Sequence, residues 1–224
     1  MENIVLSLGG SVILAQDHKP CFLRELSRLI KDISKTYRLF VVTGGGRLAR
    51  DIIELGRRNG LNEERLDTLG IDITRVNAKL LLYLLDSLNP IIPTSIEEAS
   101  RVDKRIVVMG GTTPGHSTDL VSAELAEKTK ASRFVNATNV DGIYDKDPNR
   151  YKDAKMIKKI NVDELIERYG VGWRTAGAHA VIDPPSLQVI KRARIPTFIV
   201  NGKRLDQLEK AMKGLPFEGT IIES

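Results

Sequence analysis

Four times along the chain a short, β-branched run ends abruptly in glycine or in small polar residues. Ile4–Leu8 leads into Gly9-Gly10-Ser11, and Leu39–Thr43 leads into Gly44-Gly45-Gly46. Ile106–Met109 leads into Gly110-Gly111 and on to Pro114-Gly115-His116-Ser117-Thr118-Asp119, and Phe134–Thr138 leads into Asn139-Val140-Asp141-Gly142. Stretches of helical periodicity separate these runs. Strand and helix in alternation imply crossover connections, hence a mainly parallel sheet with helices on both faces. The expected fold is therefore α/β: a three-layer αβα sandwich, with residues 1–224 forming one domain. In a parallel sheet the C-terminal ends of the strands open on one edge, so the four loops are expected to meet there. Glycine lets the backbone approach a ligand closely, and free N–H groups at a helix start attract anions. Several such loops on one edge suit a ligand bearing several phosphates.

The helical stretches are readable from their periodicity. Cys21–Ser34 carries Phe22, Leu26, Leu29, Ile30 and Ile33 at helical spacing, and the helix after Gly46 lines up Leu48, Ile52 and Leu55. A long helix is expected over Ile71–Leu88, with Ile73, Val76, Leu80 and Leu84 along one side. Leu81, Leu82, Leu85 and Leu88 widen that face, which suits a buried central helix or one that also packs against a second subunit. Ile91 and Ile92 read as a short strand. Ser95 and Glu98 have the spacing of a capping box at the start of a short helix. Asp119–Lys130, Asn161–Tyr169, Ala180–Ala193 and Leu205–Lys213 read as helices, and Thr197–Val200 as a strand. There is no internal repeat.

Composition narrows the function. Lys plus Arg number 34 against 29 Asp plus Glu, a net charge of +5 spread along the chain. That excess lacks the basic stripe of a nucleic-acid reader, and suits a small polyanionic substrate instead. The one cysteine, Cys21, cannot form an intrachain disulfide. The longest fully apolar run, Leu80–Leu85, is far shorter than a membrane span, and the N-terminus reads as a strand rather than a signal peptide. A cytoplasmic protein with neither membrane nor nucleic-acid partner is expected. Gly44-Gly45-Gly46-Arg47-Leu48-Ala49 formally fits the dinucleotide fingerprint, but Leu61–Asp67 is not the strand that fingerprint needs. The P-loop signature, a nucleophile elbow and paired metal-ligand motifs are absent. His18, His116 and His179 lie far apart in sequence, so no metal site is expected.

Read in order, these motifs resemble the amino acid kinase family, and within it the archaeal UMP kinases. The marks are Leu8-Gly9-Gly10-Ser11, Thr43-Gly44-Gly45-Gly46-Arg47-Leu48-Ala49-Arg50, Asp67-Thr68-Leu69-Gly70-Ile71 with Thr74-Arg75-Asn77-Ala78, and Gly110–Asp119. Thr138-Asn139-Val140-Asp141-Gly142-Ile143-Tyr144 with Asp147-Pro148, and Val181-Ile182-Asp183-Pro184, complete them. The run Gly-Gly-Thr-x-Pro-Gly-His before Ser117-Thr118-Asp119 is the most specific. No histidine precedes the glycine triplet, unlike the related isopentenyl phosphate kinases.

The resemblance implies transfer of the ATP γ-phosphoryl group to UMP, with Mg²⁺ carried by ATP, in a homohexamer built as a trimer of dimers. By motif position it assigns Gly9, Gly10, Ser11, Gly45 and Arg50 to the ATP phosphates. Thr138, Asn139, Tyr144 and Asp147 fall to the ATP base and ribose. Gly44, Asp67, Gly70 and the loop Thr113, Pro114, Gly115, His116, Ser117, Thr118 and Asp119 fall to UMP. ATP is expected mainly in the C-terminal half of the chain and UMP mainly in the N-terminal half. The family's first-strand lysine is replaced by Ser7, and a later lysine by Gln188. Arg47 is then the expected catalytic cation, with Asp119 as the other expected catalytic residue.

The same residues have plainer readings. Arg47 and Arg50 can be a solvated first turn, since arginine there opposes the helix dipole. Ser117, Thr118 and Asp119 can simply cap a helix. Asp67 can be a loop acid, and Tyr144 a core residue rather than a platform for adenine. Asp119 and Asp141 can orient basic groups or Mg²⁺ rather than act as bases. A same-fold kinase for a carbamate or an isoprenoid phosphate, or a nucleotide-binding storage protein without turnover, are the competing functions.

Overall fold

The computed structural model describes residues 1–15, 21–85, 91–148, 150–169 and 181–224. In chain order, β1 (Asn3–Leu8), α1 (Gly10–Ile13), α2 (Phe22–Ile33), β2 (Arg38–Thr43), α3 (Gly46–Arg58), α4 (Glu63–Leu84), α5 (Ile96–Arg101) and β3 (Ile106–Met109) make up the first half. The second half comprises α6 (Thr118–Lys128), β4 (Arg133–Thr138), β5 (Ile143–Tyr144), β6 (Met156–Ile157), β7 (Lys159–Asn161), α7 (Val162–Tyr169), α8 (Pro184–Ala193), β8 (Thr197–Asn201), α9 (Leu205–Lys213) and β9 (Thr220–Glu223).

Among the described residues the main sheet has seven strands in the order β3-β2-β1-β4-β8-β9-β7. The first five run parallel, β9 turns antiparallel to β8, and β7 lies parallel to β9. Strand alternation divides the core in two. Ile4, Leu6 and Leu8, with Leu39, Val41, Val135 and Ala137, face α2, α4 and α9. Val5, Phe40, Val42, Met109 and Phe134 face α5, α6, α7 and α8. The three-layer mainly parallel arrangement is thus the one expected from the sequence.

From β1 the chain moves outward through β2 to β3, then returns across the sheet to β4 and β8. The strand order therefore reverses between β1 and β4, where an open parallel sheet leaves a crevice at the carboxyl ends of its strands.

The long helix departs from expectation. It begins at Glu63, because the Asn62 side chain caps it by accepting from Arg65 N at 3.0 Å and Glu63 and Glu64 complement its positive end. Asp67 is therefore a helical residue, not a loop acid. Leu88 lies outside the described residues. The core face is Leu66, Ile71, Ala78, Leu81, Leu82 and Leu85, whereas Val76 is 56% exposed and Tyr83 69%. The series through Val76 and Leu80 is the outer one, since the residues lettered apolar exceed what one core face holds. On α3, Leu48 and Leu55 also turn outward, while Ala49 and Gly56 make the close contact. Ile91 and Ile92 form no strand. The Ser95 cap is present: Glu98 N donates to Ser95 Oγ at 3.1 Å.

Candidate active site

The glycine turns touch backbone to backbone. A Cβ placed on Gly10 would lie 2.1 Å from Gly46 N, and Gly46 itself has φ +66°, a left-handed conformation that favours glycine. The β1 and β2 loops can come this close only without side chains. Helix α4 fixes the second and third loops from behind: Asn77 Nδ2 donates to Gly44 O at 2.8 Å, and Gly111 N donates to Thr74 Oγ1 at 2.7 Å. Thr43 Oγ1 in turn donates to Thr74 O at 2.8 Å.

Three cavities form one trough over this junction. An outer cavity of about 620 Å³ is lined by Glu63, Asp67, Gly70, Thr113, His116 and Thr118, among others. A central cavity of about 290 Å³ is lined by Gly9, Gly10, Ser11, Gly44 to Gly46, Arg50, Asp119, Asn136, Thr138 and Asp183. The two share Gly45, Gly46, Ser117 and Thr118. A third cavity of about 510 Å³ is lined by Asn139, Gly142, Tyr144, Asp147, Pro148 and Tyr169, and meets the central one at Val181. The β5–β6 hairpin carries Tyr144.

The outer cavity has polar walls. Asp67 Oδ2 accepts from Gly115 N at 2.7 Å, tying α4 to the loop, and Gly115 has φ +83°. Glu63 is held by Arg57 at 2.9 Å, and His116 Nδ1 lies 3.8 Å from Glu124.

In the central cavity two carboxylates approach each other. Asp183 caps α8, accepting from Ser186 N at 2.7 Å, and also accepts from the Ser117 hydroxyl, so the caps of α6 and α8 are joined. Ser7 Oγ donates to Asp119 Oδ1 at 2.9 Å. Burial first, and the Asp183 carboxylate second, push the Asp119 carboxyl up to about 7, against the pull of Ser7 and the Asn136 amide. Arg50 is the one basic residue among those that line this cavity.

The structure thus gathers the expected phosphate-loop and acceptor-loop residues along one trough, with Thr138, Asn139, Tyr144 and Asp147 toward its far end. Arg47 is not gathered. It lines none of the three cavities, its side chain is 71% exposed, and Asp51 one turn on pairs with it at 3.4 Å. His18 and His179 lie outside the described residues. Asn136 and Asp183 join the site without having been singled out for it. The signal for Asn136 and its neighbour Ser7 was a polar residue inside an otherwise apolar central strand.

Set beside known proteins, residues 2–201 match the sequence profile of the amino acid kinase family. The chain belongs to this family. It is 43% identical to the uridylate kinase of Methanobrevibacter smithii over 215 residues, covering 95% of each chain. It is 44% identical to that of Methanothermobacter thermautotrophicus over 219 residues, covering 95% of this chain and 96% of the relative. The crystal structure of uridylate kinase from Archaeoglobus fulgidus superposes with a TM-score of 0.88 at 38% identity, over 99% of this chain and all of that one. Within the family's fold, the trough is formed where the strand order reverses.

Proposed function

We propose that the chain is a UMP kinase that moves the γ-phosphoryl group of ATP to UMP, giving UDP and ADP. The observation that carries this reading is the set of three neighbouring cavities: a small one lined by the glycine turns that shares four lining residues with one larger cavity and Val181 with the other. That shape suits two nucleotides held phosphate to phosphate. The outer cavity, walled by Asp67, Thr113 and His116, favours a nucleoside over an isoprenoid chain. UMP is therefore placed there and ATP over the Asn139–Pro148 cavity, which puts the acceptor mainly on the N-terminal half of the chain.

The chemistry asks little acid–base work. The UMP phosphate is already ionised at neutral pH, so one of its oxygens supplies the electron pair for the new P–O bond. The bond from the γ-phosphorus to the β–γ bridging oxygen breaks, and its electron pair leaves with ADP. Positioning and charge neutralisation carry the rate. The N–H groups of Gly10 and Ser11, and of Gly45 and Gly46 at the start of α3, receive phosphate oxygens, those of Gly9 and Gly44 being already spent on Ala137 O and Leu8 O. Arg50 supplies the fixed positive charge, in place of Arg47. Asp67 takes the ribose hydroxyls. Asp119 and Asp183 are the two carboxylates available to a Mg²⁺ ion. Among the described residues no group of three acids, histidines or cysteines could cage one. That donor set fits an ion that arrives on the nucleotide, where it neutralises phosphate charge.

The outward apolar residues of α4, Val76, Leu80 and Tyr83, are proposed to meet a second copy, with a hexamer as the full assembly. Tyr83→Glu is expected to lower the mass seen by light scattering. Among the described residues no helix is long and apolar enough to cross a membrane, and the cytoplasm is the proposed location. The function is tested by measuring ADP release against UMP, CMP, AMP and an isoprenyl monophosphate. Turnover with UMP above the others is expected. Turnover with CMP or AMP but not UMP would overturn the acceptor, and no turnover with any would overturn the kinase reading.

A further inference from the structure

Asn136 sits in the middle of the sheet, on β4, directly beside Ser7 of β1 across the point where the strand order reverses. Its residue is 3% exposed. By alternation along β4 its side chain shares the sheet face of Phe134, toward α6 and α8, the helices that bring Asp119 and Asp183. The amide is close enough to Asp119 to favour the ionised carboxylate. Yet Nδ2 is buried and makes no hydrogen bond of acceptable geometry.

A buried amide donor left unmatched costs free energy, and folded proteins rarely keep one without a use for it. A valine or leucine here would pack against the neighbouring apolar strands at no such cost. Asn136 lines the central cavity together with Arg50 and the glycine turns, in which the Gly9 and Gly44 N–H groups are already spent on Ala137 O and Leu8 O while those of Gly10, Ser11, Gly45 and Gly46 are not. Two carboxylates also line that space, so a partner that accepts from all these donors must be rich in oxygen and bring charge of its own. The group that passes through this cavity is the phosphoryl group in transit.

We infer that Asn136 is a catalytic residue of the transfer site, its Nδ2 donating to a non-bridging oxygen of the phosphoryl group as it moves from ADP to UMP. The inference rests on the kinase reading above and deepens it. No bond is made or broken by Asn136 and no proton leaves it. Its donor meets charge that spreads over the equatorial oxygens as the P–O bond to ADP lengthens, a contact realised most fully in the transition state. A lysine in its place would pair with Asp119 and Asp183. The neutral amide gives a donor without cancelling those carboxylates.

The test compares Asn136→Leu and Asn136→Ala with the parent by steady-state kinetics and thermal melting. The kcat is expected to fall about 10²-fold, the size of effect seen when one such donor is removed, while KM for ATP and for UMP each change less than about threefold. The melting temperature of Asn136→Leu is expected to hold or rise, because an orphaned amide is gone. Asn136→Ala guards against a leucine that fits badly. The same loss is expected when Asn136→Leu is made in an Asp119→Asn background. A kcat within about threefold of the parent in both variants overturns the inference. So does a rise in KM with kcat unchanged, and so does disappearance of the effect in the Asp119→Asn background, which would mean that Asn136 acts only through Asp119. These results arise with an active parent. A parent that turns over no monophosphate removes the kinase reading itself, and this inference with it.

Discussion

Asp119→Asn is expected to stabilise the ligand-free protein at neutral and alkaline pH. The Asp119 carboxyl is displaced from a usual value of 3.8 to about 7, chiefly by burial and then by Asp183. Below about pH 4 the group is protonated both folded and unfolded, and contributes no pH dependence. Between that point and about 7 the unfolded chain gives up the proton while the native chain keeps it. Folding then takes up a proton, and stability falls as pH rises, by at most about 1.4 kcal/mol per pH unit. Above about 7 the native group ionises as well and the loss levels off. The full displacement sets a ceiling of about 4 kcal/mol. Asp119 still presents some surface to the water-accessible central cavity, so about 2 kcal/mol is the expected gain for Asp119→Asn at pH 8. Asparagine keeps an oxygen to accept from Ser7 Oγ, so the existing hydrogen bond survives. Urea denaturation of parent and variant at pH 4.5, 6 and 8, without nucleotide, measures the difference while other carboxylates cancel. A variant less stable than the parent at pH 8, or a difference that does not grow between pH 4.5 and 8, refutes the reasoning.

Further outcomes follow from the same geometry. Arg50→Ala should lower kcat by about 10²-fold or more, whereas Arg47→Ala should leave it within about threefold, since Arg47 is exposed and paired with Asp51; equal losses in steady-state assays would reject that division. Gly10→Ala forces a methyl group to within 2.1 Å of Gly46 N and should cost about 3 kcal/mol of stability or displace the β2 loop and weaken ATP binding, as read by melting and calorimetry. Asp67→Asn should raise KM for UMP about tenfold with KM for ATP nearly unchanged, because the lost charge lies only in the outer cavity; a parallel rise in both constants would count against the placement of the two substrates.

Much of the fold was legible because its punctuation is chemical. Glycine at the ends of β1, β2 and β3 marked each strand's carboxyl end, and largely apolar, β-branched runs marked strands buried on both faces. The Ser95–Glu98 spacing gave a helix start that the hydrogen bonds reproduce. What was illegible depended on partners distant in sequence. The strands β7 and β9 are short: β7 is a strand chiefly because β9, 62 residues on in the chain, pairs with it, and β9 is held between β7 and β8. On α4 the apolar residues surround so much of the helix that periodicity alone could not say which series faces the sheet. The site divides in the same way. The loops Gly9–Ser11, Gly44–Gly46 and Thr113–Asp119 were readable because their residue types have few other uses. Asn136 was not, because a polar residue inside an apolar strand shows that something is there without showing what it serves. Its meaning comes only from the empty hydrogen-bonding position beside Asp119.

The placement of these polar residues follows from the topology. A ligand cannot reach the interior of a parallel sheet covered on both faces, so chemistry is confined to the last residues of strands and the loops beyond them. Adjacent strands whose chain continues to opposite sides, as β1 and β4 do, leave their ends uncovered by a common crossover. Ser7 and Asn136 are neighbours in register at that point, one residue short of Leu8 and two short of Thr138. Both lie deep enough to be dry, and Asn136 lies near enough to the opening to line the central cavity. Ser7 spends its hydroxyl on Asp119, while the Asn136 donor remains unspent. If the sheet supplied only a scaffold, this is the position where paired apolar side chains would be expected, as at Val5 and Phe134 two residues earlier on the same face. The polar pair instead costs stability in the free protein, and that cost is intelligible where a phosphate-bearing partner completes the hydrogen bonds.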